Sequence, residues 1–190
     1  MRDMHSVVFQ LKEEVLHTRG MAYRCGELAA SNILPLQHRL LNLISAITDE
    51  AQQKLDILRL GCILFFAEPR RLFGIMGVVS STQTGKLRGL LKQQRDGWRP
   101  FALLKAWVLA MGAMESRSSE REWFFTELTK SKVELGFHTW KDLQGKFQEI
   151  LWYDEVHTPM FEELCNGIEP EDWSGKLLGG SRFGGYRPLW

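Results

Sequence analysis

The residues of this 190-residue chain whose types suit chemistry are few and badly spaced for it. His5, His17, His38, His138 and His157 are scattered, with no HExxH and no pair one helical turn apart, so they do not form a zinc ligand set. Surface or capping roles are the simpler assignment. Three cysteines, Cys25, Cys62 and Cys165, are far apart and form no CxxC pair, which points to neither a zinc module nor a disulfide framework. Cys62 falls among apolar residues, where a thiol is inert packing rather than a nucleophile. Ser80 and Ser81 lack the G-x-S-x-G elbow that exposes a nucleophilic serine. Gly74 and Gly77 are not followed by the lysine of a phosphate-binding loop. Glu162 and Glu163 are adjacent, so on a helix their side chains diverge by ~100° and do not pair as acid and base. The expectation is a non-enzymatic chain with no catalytic residue, no metal site and no cofactor.

Two charge features survive this search. Residues 86–105 carry Lys86, Arg88, Lys92, Arg95, Arg99 and Lys105 against the single acid Asp96. At helical spacing Arg88, Lys92 and Arg95 share one face, suited to phosphate or to an acidic partner. The plainer alternative is a solvated face opposite Leu87, Leu90 and Leu91. The second feature is 154–173, with Asp154, Glu155, Glu162, Glu163, Glu169, Glu171 and Asp172 and no Lys or Arg. Met160, Phe161, Leu164, Ile168 and Trp173 are interleaved with these acids. Acid mixed with bulky apolar residues is the composition of segments that enter partner grooves. The plainer alternative is a terminal helix docked by Phe161 and Leu164 with its acids in water.

The elements that must position these residues are helical. The stretch from Ser119 to Tyr153 contains three of the seven tryptophans, Trp123, Trp140 and Trp152, and reads as a helical hairpin on which the rest is organised. Ser119 with Glu122 has the capping-box pattern, and Thr139 with Asp142 repeats it with a shorter acid. Gly136 falls where a helix C-terminus needs positive φ. Trp140, Leu143, Phe147, Ile150 and Leu151 make an apolar stripe at the 3.6-residue period, predicting a helix over 140–152. Upstream, helices are expected at 4–18, 21–30 and from Pro35 through Ile47. A further one carries Leu55, Leu58, Cys62, Phe65 and Phe66, ended or bent by Pro69. SSTQTG at 80–85 reads as a polar break before a short helix containing Leu87 and Leu91. From Pro100 an apolar helix runs through Leu103, Leu104, Trp107, Val108 and Met111, and another is expected at 158–166. No stretch alternates at period two. The expected fold is all-α: antiparallel helices with short connections over 1–166, then an irregular Gly/Pro-rich tail at 167–190. Trp107, Trp123, Trp140, Phe147 and Trp152 are its expected aromatic core.

Composition agrees with an ordinary globular chain: 44% hydrophobic and 25% charged residues, with a net charge of +1 that does not by itself indicate nucleic acid. No apolar run approaches the ~18 residues of a membrane span. Acids and polar residues come too early in MRDMHSVVFQLKEEV for a secretory signal peptide, so reduced, intracellular cysteines are expected.

The order LQHRLLNLI, LDILRLGCILFF, a basic leucine-rich segment, LLKAWVLAMGAMES, REWFFTEL and LGFHTWKDLQGKFQEILWYDEVHTPMFEEL resembles the C-terminal part of the regulatory domain of fungal-specific transcription factors. The resemblance spans about residues 34–166. It is carried by Trp107 with Gly112 and Ala113, by Arg121-Glu122-Trp123-Phe124, and by the Trp140–Trp152 stretch with Asp154-Glu155. It implies a nuclear regulatory and interaction domain whose partners are the transcription machinery or another copy of the chain. Members of that family usually begin with a six-cysteine binuclear zinc cluster, and this sequence has no such run. Sequence-specific DNA binding is therefore not carried over, and the chain reads as a C-terminal piece or as a free-standing relative. Two alternatives remain: a small helical enzyme, and a phosphate- or nucleic-acid-binding protein using the basic face at 86–105.

Overall fold

In a computed structural model the described residues are 49–72, 80–94 and 97–167. The helices expected at 4–18, 21–30 and 35–47, together with Arg95, Trp173 and the tail after Gly167, lie outside them. Every regular element among the described residues is helical: α1 Asp49–Phe65, α2 Ala67–Leu72, α3 Ser80–Gln93, α4 Ala102–Glu115, α5 Ser118–Glu134, α6 Trp140–Ile150 and α7 Asp154–Asn166, with one 3-10 turn at Arg99–Phe101. The fold is all-α. Connections of two, five and three residues (116–117, 135–139 and 151–153) join the last four helices, as short loops between neighbouring helices require.

The organising element is α4, not the hairpin that follows it. Its residues Ala106 to Met114 are buried without interruption, which is the signature of a helix surrounded on all sides. α1, α3, α5, α6 and α7 all pack on it, α5 most extensively. Two glycines allow the closest approaches. A Cβ on Gly112 would lie 2.5 Å from the Phe124 ring of α5, and one on Gly61 of α1 would lie 2.9 Å from Val108 Cγ2. α5 and α6 share α4 as their support and meet each other mainly where the Phe125 and Trp140 rings come within 5.1 Å.

Helix boundaries follow local chemistry, with four departures from the expected ones. SSTQTG is no break but the first turns of α3. Its Ser81, Thr82 and Gly85 face water, and Thr84 is the first buried position of a stripe with Leu87 and Leu91. The Thr84 hydroxyl is not left bare, because it donates to Glu120 Oε2 at 2.7 Å. Ser119 forms no cap: α5 begins one residue earlier, after Arg117, with Ser118 at φ +51°. The shorter Thr139–Asp142 pair is the real capping box, with Asp142 N–H donating to Thr139 Oγ1 (3.1 Å) and Thr139 N–H to Asp142 Oδ2 (3.2 Å). α6 stops at Ile150, so Trp152 and Tyr153 belong to an extended linker rather than a last turn. α7 then starts at Asp154, four residues before the expected boundary at 158. Gly136 behaves as expected, at φ +76° in a Schellman turn in which Phe137 N–H bonds to Lys132 O and Gly136 N–H to Val133 O.

Of the expected aromatic core, Trp107, Phe147 and Trp152 are buried, whereas Trp123 and Trp140 are half-buried at the rim. Each rim tryptophan lies under a cation: Lys132 is 5.1 Å from the Trp140 ring, and its Nζ also donates to His138 O at 2.7 Å.

Candidate functional site

The basic face sits on α3, and its expected members part company. Arg88 and Lys92 both lie against Trp123 of α5, at 5.5 and 5.7 Å from the ring centroid. Their cationic heads thus rest on an aromatic surface, where the ring quadrupole favours positive charge. Arg95 lies outside the described residues. Lys86, not part of the expected trio, is exposed on the other side of Gly85 and Gly89 from Arg88. The helix SSTQTGKLRGLLKQ contains no acid.

The acidic helix α7 is docked, not free. Val156, His157, Phe161 and Leu164 are buried; the last three, at i, i+4 and i+7, form one stripe against the body. Phe161 packs edge-on against Phe147 and Trp152, at 5.8 and 5.7 Å. It is therefore a core residue rather than part of an interaction segment, because burying its ring is worth more than presenting it to water. Asp154, Glu155, Glu162 and Glu163 are exposed. Asp154 accepts from Gln148 Nε2 at 2.6 Å, and with Glu155 it places negative charge in the first turn, where the helix dipole favours it. Among the described residues no ion pair joins these acids to Arg88 or Lys92. Among the described residues the two charged faces therefore do not close on each other.

The polar centre that sequence reasoning missed is buried around the 151–153 linker. Pro69 has no N–H, so the Phe65 carbonyl four residues earlier loses its helical donor. His157 Nε2 lies 3.1 Å from that carbonyl, and Tyr153 N–H bonds to His157 Nδ1 at 3.1 Å. A carbonyl only accepts, so Nε2 carries the proton and Nδ1 receives the backbone N–H: a neutral tautomer assigned by its two partners. Its ring stacks on Phe65 at 4.5 Å. Burial pushes the imidazole down from 6.5 to about 4, against the smaller upward pull of the Phe65 carbonyl and the Asp154 carboxylate. Trp107 Nε1 donates to Leu151 O (2.8 Å), and Trp152 Nε1 to Thr158 Oγ1 (3.1 Å). A second anchor lies at the far end of α4, where the shielded Glu115 carboxylate pairs with the exposed Arg71 through Nη2 (2.6 Å) and accepts from Ser80 Oγ (2.8 Å). The bonds named here join separate elements of the fold and hold helices together.

The thiols fit that picture. Burial pushes Cys62 and half-buried Cys165 up to about 12, so neither supplies a thiolate at neutral pH. Among the described residues no group of three or more His, Cys, Asp or Glu side chains is placed to hold a metal ion. No helix among them is long and apolar enough to cross a membrane. Comparison with protein-family models, curated proteins and solved structures returns no match.

Proposed function

We propose that this chain is a non-enzymatic regulatory and interaction domain of the fungal transcription-factor type, working in the nucleus through its helix faces and without a DNA reader of its own. The observation that carries the reading is the outer face of α7. Asp154, Glu155, Glu162 and Glu163 are exposed on a helix that contains no Lys or Arg, and the helix is anchored by Phe161 and Leu164. A uniformly anionic ridge on a rigid support suits recognition of a basic partner surface, because its charges need no ordering at the moment of binding. The positions behind the family resemblance support the reading as well. Trp107, Gly112, Trp123, Phe124 and Trp140 all lie on α4, α5 and α6, which pack as one unit.

The test is a reporter assay with the whole chain fused to a heterologous DNA-binding module. Output above background is expected, and replacing Glu155, Glu162 and Glu163 by Gln should remove most of it. Background output from the wild-type fusion, or full output from the replaced one, refutes the assignment.

A further inference from the structure

Two glycines stand in the interior of α3, Gly85 and Gly89, one turn apart on its exposed face. A glycine inside a helix is less stable than alanine because it loses more backbone freedom on folding. Nothing among the described residues requires either one. A Cβ on Gly89 would meet nothing within 4 Å, and one on Gly85 would meet only Glu120 Oε1 at 3.9 Å. Gly61 and Gly112 are different, since their missing Cβ atoms are what α4 and its neighbours need. Small residues spaced by four on a helix surface let a second helix approach closely. On either side of this shallow strip lie the cations Lys86, Arg88 and Lys92.

α7 has the opposite character. Glu155, Pro159, Glu162 and Asn166 are exposed at i, i+4, i+7 and i+11, so they form one ridge, with Glu163 beside it. α3 has 14 residues with no acid, and α7 has 13 with no Lys or Arg, so the two faces match in length and oppose in sign. Within one chain they share no ion pair among the described residues.

We propose that α3 of one copy docks against α7 of a second copy, its Gly85–Gly89 strip receiving the α7 ridge while Lys86, Arg88 and Lys92 face Glu155, Glu162 and Glu163. The inference rests on reading the chain as an interaction domain and names one of its partners. Unlike surfaces meet, so each copy carries one face of each kind and association grows with concentration. Exposed charges dominate the contact, so it is weak and screened by salt beyond a Debye length of ~10 Å at 0.1 M.

Sedimentation velocity on the full chain tests this, from about 10 µM to 1 mM in about 50 mM and about 500 mM salt, a range set by the screening length. The wild type is expected to associate reversibly at low salt and to dissociate at high salt. Lys86→Gln with Lys92→Gln, and separately Glu155→Gln with Glu162→Gln and Glu163→Gln, should each weaken association about tenfold or more. Mixing the two variants should restore a 1:1 complex, because each retains the face the other has lost. Gly85→Ala with Gly89→Ala should raise the melting temperature and yet weaken association, which loss of folding cannot mimic. A wild type that stays monomeric at low salt overturns the proposal, as does a mixture that stays monomeric or an alanine pair that associates as well as wild type. Binding of a duplex through Lys86 and Lys92 without self-association would assign the face to phosphates instead. Self-association can fail while the reporter fusion still responds to the α7 glutamates, so its failure and that of the proposed function are distinguishable.

Discussion

His157 is the residue whose removal tests the core most sharply. It ties its own helix to the adjoining 151–153 linker through Tyr153 N–H and to a distant piece of chain, the carbonyl that Pro69 leaves bare at Phe65. His157→Ala would strand a buried carbonyl and a buried N–H and open a void beside Phe65, Trp152 and Tyr153. The combined cost is about 4–6 kcal/mol, enough to unfold a marginal domain. His157→Gln, which keeps a donor and an acceptor but loses the ring stack, should cost about 1–3 kcal/mol and leave a measurable fold. The pH dependence is more diagnostic. The folded imidazole titrates near about 4, against 6.5 for the free group. A proton on Nδ1 would also face the Tyr153 N–H. As pH falls below 6.5 the unfolded chain takes up this proton before the folded one does. Stability is therefore complete above pH 6.5 and declines towards pH 4, by about 2 kcal/mol between pH 7.5 and 5. Urea unfolding at these two pH values, for wild type and His157→Gln, separates this residue from the other histidines. If the wild type loses nothing over that interval, or the glutamine variant loses as much, the buried neutral imidazole is not the stabilising group inferred here.

Other outcomes follow from single contacts. Thr139→Ala should cost about 0.5–2 kcal/mol through loss of the α6 capping box, whereas Ser119→Ala should be close to neutral; thermal melts of the pair decide between the two caps. Gly112→Ala drives a Cβ into the Phe124 ring and should cost about 1–3 kcal/mol or more, read as a fall in the urea midpoint. Trp107→Phe keeps a large ring but leaves the buried Leu151 carbonyl without its donor at 2.8 Å, a loss of about 1–3 kcal/mol by the same assay. The chain alone should show no preference for one duplex over a scrambled one, and any weak binding through α3 should fall steeply as salt is raised in a fluorescence titration.

The fold was legible wherever apolar residues recur at helical period. The stripes of α4 and α6 needed no tertiary information, and neither did the Thr139–Asp142 box or Gly136. Boundaries failed where the polar face comes first, as in SSTQTG, since a helix whose opening turn points to water looks like a loop until Thr84. The Ser119 box failed because its spacing is shared by residues just inside a helix, and only the backbone at Ser118 places the start. Phe161 is more instructive. An acid-rich helix studded with apolar residues has the same composition whether it is docked or displayed, so composition left both readings open. The i, i+4, i+7 spacing of His157, Phe161 and Leu164 was the available signal for docking.

The candidate surfaces were legible as charge, and the buried centre was not legible at all. His157 has no local motif, because the group it serves lies 92 residues earlier. What makes that group need a partner is a proline whose effect on the sequence is to end a helix, not to summon a histidine. Pro69 frees the Phe65 carbonyl, a buried carbonyl demands a donor, and the donor must come from an element that already packs there. α7 does so because Phe161 and Leu164 anchor it beside Phe147 and Trp152. The same anchoring turns Glu155, Glu162 and Glu163 outward as a fixed ridge. The buried bond and the exposed charge are thus two consequences of one docking event. A variant that loosens α7 from within should blur the acidic face outside, and reporter output should fall together with stability in His157→Gln. Unchanged output in a measurably destabilised His157→Gln chain would show that the acids act without a rigid support.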